Sequence, residues 1–304
     1  MKLVRCLVDG TVRYGRVIGD PDLTDAGAAG ASPGPDHLLV ALVAASPAAG
    51  AGADGEAADP LAGMRHARDA AEVERRPLSQ VRLLAPLPRP GKVVAIGLNY
   101  ADHATEAASK ITAPPVPPVF AKFPSAIIGP GEPITYDPAL AKEVDYEAEL
   151  AVLIGRPARG VPAADALSYV FGYTCLNDVS ARDLQFSDGQ WTRGKSLDTF
   201  CPIGPWVVTA DELPDPQRLA IRCWVSGDLL QDGTTADMFY GVAELIAHLS
   251  QAFTLEPGDI VATGTPPGVG YFRDPKRLLT DGDEVVVWVE GIGALRNPVV
   301  VRRD

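Results

Sequence analysis

Apolar runs of strand length set the pattern of this chain. Residues 2–8 and 11–18 alternate about Asp9-Gly10, which predicts a β-hairpin. A short buried strand is predicted at 93–97, and further strands at 119–123, 144–154, 170–177, 203–209, 219–226, 259–263, 284–290 and 294–301. Turn signals such as Ser226-Gly227-Asp228, Pro257-Gly258-Asp259 and Asp281-Gly282-Asp283 bound many of them. Helical periodicity is clearest over Gly241–Phe253, where Val242, Leu245, Ile246 and Leu249 share a face. Helices are also expected over Asn99–Ala108, just after Asp178, and over His37–Ala45 within the Ala-, Gly- and Pro-rich stretch 26–63. Residues 113–118 are Pro-rich and read as an extended segment beside a lid. Regular strand–helix alternation is missing, which argues against Rossmann and TIM architectures and for a β-rich α+β class. The run Pro86-Leu87-Pro88-Arg89-Pro90-Gly91 reads as a linker, dividing a small N-terminal domain, 1–85, from a larger one, 91–304.

The most informative strand is Val144–Ile154. Alternation puts Glu147 and Glu149 on one face, roughly 7 Å apart at Cα. Asp145 and Ala151 share that face. Neighbouring carboxylates repel unless a proton or a cation lies between them, and an all-oxygen cluster suits a hard dication, Mg2+ or Mn2+. The alternative is a solvated acidic stripe. Asp178, at the end of the strand 170–177, is placed to complete a set of three; equally, Asp178 or Ser180 could N-cap the following helix.

Charge and cysteine content narrow the partners. The net charge is -12, without a Lys/Arg cluster, which argues against nucleic acid. An anionic substrate would need a local inversion of that field, by a cation, Lys195 and Arg182. The four cysteines, Cys6, Cys175, Cys201 and Cys223, are far apart, so a zinc or disulfide framework is not expected. No segment reads as a signal peptide or membrane span, and the expected location is cytoplasmic, without membrane partners. Gly-x-Ser-x-Gly and His-Glu-x-x-His are both absent, which disfavours a serine hydrolase and a zincin.

Five ordered blocks carry a family resemblance: Gly97-Leu98-Asn99-Tyr100-Ala101-Asp102-His103-Ala104-Thr105-Glu106, Tyr146-Glu147-Ala148-Glu149-Leu150, Asn177–Gln185, Arg193–Phe200 and Thr263–Gly270. Together they resemble the fumarylacetoacetate hydrolase family over roughly residues 91–300. The resemblance implies a mixed β-sandwich roll, with a small variable N-terminal domain, and a divalent metal, usually Mg2+, on Glu147, Glu149 and Asp178. It implies that Lys195 faces the substrate oxygen near the metal, that Arg182 and Gln185 reach its distal groups, and that Thr265 binds its carboxylate. Lys122 matches a family lysine and is expected near the substrate. His103 and Glu106, spaced i, i+3 on the expected helix, would form a water-activating dyad as in the family's hydrolases. Leu98 stands where some hydrolytic relatives carry Arg, which removes one carboxylate partner.

The expected activity is therefore metal-dependent hydrolysis of a C–C bond in an acylpyruvate-type 2,4-dioxo acid. The alternatives are the same site working as a decarboxylase, tautomerase, isomerase or hydratase on a 2-oxo acid, or a non-catalytic binding protein. The resemblance also implies a homodimer, for which Trp288, Val289, Ile292, Leu295, Val299 and Val300 could supply an apolar surface.

Overall fold

A computed structural model describes residues 1–19, 38–44, 59–100 and 114–302. The N-terminal part forms β1 (Lys2–Val8), β2 (Thr11–Ile18), β3 (Leu39–Val43), helix α1 (Ala62–Asp69), β4 (Glu72–Pro77) and β5 (Arg82–Leu83). Then come β6 (Val93–Ile96), β7 (Val119–Lys122), β8 (Ile127–Ile128), β9 (Ile134–Tyr136), β10 (Val144–Asp145), β11 (Ala148–Ile154), α2 (Ala163–Ala166), β12 (Val170–Asn177) and β13 (Ser180–Ala181). The rest is α3 (Arg182–Asp188), α4 (Thr192–Lys195), β14 (Cys201–Thr209), β15 (Ala220–Val225), β16 (Asp228–Thr234), α5 (Val242–Ala252), β17 (Ile260–Ala262), β18 (Glu284–Val289) and β19 (Gly293–Val301).

The large sheet runs β4-β3-β2-β1-β14-β12-β11-β17-β6-β7, and a second sheet runs β16-β15-β18-β19-β9. The fold is thus the expected β-rich roll of mixed sheets. β1 pairs antiparallel with β14, Leu3 opposite Val207, so strands from before the Pro86–Gly91 linker extend the large sheet directly.

Burial explains the arrangement. The even positions of β11, among them Leu150 and Val152, join Val285, Val287 and Val289 of β18 and Leu245 and Ile246 of α5 in the main core. The odd positions Ala151 and Leu153 join a second core with Leu61 and Met64. All seven β11 residues are buried, which an apolar strand covered on both faces requires. Leu150→Ala would leave a cavity costing about 2–5 kcal/mol.

Several expectations change. The described part of the expected helix His37–Ala45 is not helical: Leu39–Val43 is β3, paired to β2 on one side and β4 on the other. Its short apolar run reaches both cores, through Leu42 and Val43, which a central strand allows and a single helical turn does not. The strand expected over 144–154 breaks at Tyr146-Glu147, where the Asn177 side chain accepts the Glu147 N–H at 3.0 Å. Trp288, Val289, Ile292, Leu295 and Val299 are buried within the chain, so of the residues expected to supply a subunit interface only Val300 is exposed. Among the described residues no helix is long and apolar enough to cross a membrane.

Candidate metal and acid–base site

The acidic set assembles at the adjoining ends of β11 and β12. Ala148 lies opposite Asn177 in the antiparallel register, so Glu147 meets Asp178 just beyond it. The Asp178 N–H donates to the Glu147 carbonyl at 2.9 Å. Glu147, Glu149 and Asp178 each bring a carboxylate oxygen within 4.8 Å of the other two, and all three are buried. Neither Asp178 nor Ser180 caps α3; its N-cap is Ala181, which makes no side-chain capping bond.

Three cations surround them. Lys195 Nζ donates to Glu147 and to Asp178, both at 2.8 Å. Arg182 Nη1 lies 2.6 Å from Glu147 Oε1 and donates to Gln185 Oε1 at 3.0 Å. Lys122 Nζ donates to the other oxygen of Asp178 at 2.6 Å, and to the carbonyls of Val179 and Lys195. Lys122 is therefore turned to Asp178 and to backbone, rather than to the cavity where a substrate contact was expected.

Asp145 takes a different part from the one its strand face suggested. Its carboxylate receives Arg182 Nε and Nη2 at 2.9 and 2.8 Å, and the N–H groups of Gly270 and Tyr271 at 2.8 and 3.0 Å. It ties Arg182 to the glycine-rich turn that follows β17.

Glu149 is the exception in this network. Its Oε2 accepts the Gly264 N–H at 2.9 Å, while its Oε1 is buried with no hydrogen-bond partner among the described residues. Gly264 has φ +98°, and a Cβ there would come within 2.9 Å of Asn99 Cβ, so the turn that delivers this N–H requires glycine. Burial pushes the Glu149 carboxyl well above the ordinary carboxylate range, and the charges of Asp178 and Glu147 push it further. For Lys195 burial acts downward, but Asp178 and Glu147 outweigh it and hold the amine above its usual value, protonated.

These residues fit a divalent cation. The donors are all oxygens, the geometry brings three of them together, and one buried carboxylate oxygen lacks a partner among the described residues. The charges agree as well. Among the described residues four buried acidic side chains, Asp145, Glu147, Glu149 and Asp178, which a bound cation would hold ionised, face three buried cations, Lys122, Arg182 and Lys195. A dication converts one surplus negative charge into one surplus positive charge, which favours an anionic ligand.

Beside the cluster lies a cavity of roughly 190 Å3, lined by Glu147, Arg182, Gln185, Lys195 and Thr265 on its polar side and by Leu98, Phe120, Trp191 and Phe272 on its apolar side. Phe120 and Trp191 meet edge to face at 5.4 Å. Thr265 Oγ1 accepts from Gln231 Nε2 at 2.8 Å. Gln231 and the anchoring role of Asp145 were missed from sequence. No local sequence signal marks Gln231; its burial comes from the packing of β16 against β11 and the turn after β17. His103 and Glu106 lie outside the described residues, as does the expected helix from residue 101 onward.

A family model described as fumarylacetoacetate (FAA) hydrolase, C-terminal, matches residues 92–300. The chain is 48% identical over 232 residues to oxaloacetate tautomerase Fahd2a, mitochondrial, of Rattus norvegicus, covering 76% of this chain and 73% of that one. The structure resembles 5-carboxymethyl-2-hydroxymuconate delta-isomerase from Mycobacterium smegmatis, with a TM-score of 0.77 and 39% identity over 99% of this chain and 100% of that one. It also resembles 2-hydroxyhepta-2,4-diene-1,7-dioate isomerase from Mycobacterium marinum, with a TM-score of 0.77 and 38% identity over the whole of both chains.

Proposed function

The chain belongs to the fumarylacetoacetate hydrolase family, and from that premise we propose that it is a Mg2+-dependent tautomerase of a 2-oxo diacid of the oxaloacetate class. The observation that carries this reading is Lys195. Its ammonium is hydrogen-bonded to Glu147 and Asp178 and also lines the cavity. Tautomerisation needs one group that can hold a proton beside both the substrate carbon and its oxygen; it needs no water nucleophile. In the enol-to-keto direction Lys195 gives a proton to C3 and takes the proton of the enol hydroxyl, so the amine returns to its starting state. Glu147, Glu149 and Asp178 would hold a divalent cation, which would supply Lewis-acid stabilisation of developing negative charge. Arg182 and Thr265 bind carboxylate oxygens, and the Phe120–Trp191 wall keeps water from the reacting carbon. The names of the tautomerase and isomerase relatives, all of which describe proton transfers, support the same choice.

A second reading, hydrolysis of an acylpyruvate-type 2,4-dioxo acid, rests on His103-Ala104-Thr105-Glu106. Leu98 lines the cavity at the position where some hydrolytic relatives carry Arg, which weighs against it. The test is the decay of enol-oxaloacetate absorbance with Mg2+, Mn2+ or EDTA, beside assays for acylpyruvate cleavage and for pyruvate from oxaloacetate. We expect enol decay above the buffer rate, lost with EDTA, reduced about 10²–10⁴-fold in Lys195→Met and retained in His103→Ala. Acylpyruvate cleavage that His103→Ala abolishes, without catalysed enol decay, would replace this reading with the hydrolase. Pyruvate formation alone would replace it with a decarboxylase.

A further inference from the structure

We infer that Gln231 is a positioning residue that fixes the Thr265 hydroxyl as a hydrogen-bond donor to a substrate carboxylate; this rests on the 2-oxo-acid reading above. Gln231 projects from β16 of the second sheet and is fully buried. Its Oε1 accepts the Ala148 N–H at 2.9 Å, and its Nε2 donates to the Pro266 carbonyl at 2.8 Å. A backbone N–H can only donate and a backbone carbonyl can only accept, so these two partners determine which end of the amide is which. The second hydrogen of Nε2 goes to Thr265 Oγ1 at 2.8 Å. Thr265 Oγ1 must therefore act as acceptor towards Gln231, and its own single proton is left for another partner. Among the described residues none accepts it, and Thr265 lines the cavity together with Arg182, Gln185 and Lys195.

The same amide spans two parts of the site. Ala148 stands between Glu147 and Glu149, and Thr265 follows the Gly264 whose N–H reaches Glu149. Gly233, two residues after Gln231, approaches Pro266 so closely that a Cβ would lie 2.6 Å from the proline Cβ. The spacing between β16 and the turn is thus held on both sides of the Gln231–Thr265 bond. The cavity accordingly presents a pre-oriented O–H to an acceptor-only group, a carboxylate.

Binding of oxalate, a non-reacting dianion with adjacent oxygens, tests this by calorimetry in the presence of Mg2+. Gln231→Glu keeps an acceptor for Ala148 but turns the Thr265 proton inward, away from the cavity. We expect oxalate to bind about tenfold more weakly to Gln231→Glu and to Thr265→Val. The double variant should bind no more weakly than Thr265→Val to within about twofold, since the effect of Gln231 passes through one hydroxyl. In turnover, KM for the 2-oxo acid should rise about tenfold in Gln231→Glu while kcat stays within about twofold. If the buried glutamate prevents folding, Gln231→Met, which cannot donate, should show the same non-additivity with Thr265→Val. Unchanged binding in Gln231→Glu, or losses that multiply in the double variant, would overturn this inference alone. Failure of the parent protein to bind oxalate would overturn the 2-oxo-acid reading, and this inference with it.

Discussion

Two buried carboxylates in this protein, Asp283 and Glu149, are treated in opposite ways. Asp283 lies at the turn into β18 and receives Arg277 through both guanidinium nitrogens at 3.0 and 2.7 Å, the Ser226 hydroxyl at 2.6 Å, and the N–H and hydroxyl of Thr280 at 2.8 and 2.9 Å. Burial acts to raise its pKa, but the hydrogen bonds from Arg277, Ser226 and Thr280 outweigh it and leave the carboxyl well below the usual range. Glu149 is more deeply buried, accepts one hydrogen bond among the described residues, from Gly264, and is pushed the other way. A carboxylate that the fold satisfies completely is a structural tie. One left short of partners in a dry place lowers stability by itself, and the fold tolerates it where a ligand supplies what is missing.

Three experiments break or sharpen that contrast. The largest effect is expected from Glu149→Gln. Turnover should fall about 10³-fold, since the cation loses a ligand and the developing charge its stabilisation. Yet the variant in EDTA should be at least as stable as the parent, because an amide carries no charge to desolvate. Mg2+ at 100 times its Kd should stabilise the parent by about 2.7 kcal/mol, a gain the variant lacks. A variant that melts well below the parent in EDTA would show that Glu149 is structural after all.

An intermediate effect is expected at Lys122, which makes no cavity contact but holds Asp178 Oδ1. Lys122→Met should weaken Mn2+ binding about 10–100-fold, as loss of a partner that orients a ligand does. Titration by electron paramagnetic resonance measures this directly, and unchanged Mn2+ affinity would leave Lys122 with a purely architectural part.

The smallest effect is expected from Asp283→Asn, with about 2 kcal/mol lost at pH 7 and turnover within about twofold of the parent. The folded pKa of Asp283 lies below its unfolded value. Its contribution is therefore present above the unfolded pKa of about 3.9 and is lost as pH falls towards the folded value. The stability gap between parent and variant, from denaturant titrations, should be full at pH 7 and narrow below about pH 4. A gap that does not depend on pH would mean that the stabilisation does not come from the ionised carboxylate.

What could be read in advance divides along physical lines. Glu147 and Glu149 were legible because strand alternation is local, and their shared face survives the break at Tyr146-Glu147. Asp145 was misplaced by the same rule: that break separates β10 from β11, and Asp145 then turns to Arg182 and the 270–271 backbone. The β3 segment looked helical because a short apolar run has no period of its own; its neighbours on both sides decide its conformation. Lys122 and Gln231 were beyond local reasoning altogether. The partner of Lys122 is 56 residues away, and the Ala148 partner of Gln231 is 83 residues away on the other sheet, so only the tertiary fold brings each pair together.

The pairing of β1 with β14 also orders events during synthesis. Lys2 and Leu3 pair with Val208 and Val207, so about two hundred residues must leave the ribosome before that end of the β1 edge is covered, whereas β5 pairs with Cys6 and Leu7 much earlier. Until then the β1–β2 hairpin, with Leu3 and Val4 destined for the interior, presents a partly open strand edge and apolar side chains. At typical elongation rates that interval lasts roughly 10–40 s. A segment made about two hundred residues before its partner strand is among the last that the native sheet can enclose at that end, and a nascent chain stalled between β2 and β14 would be a client for chaperones.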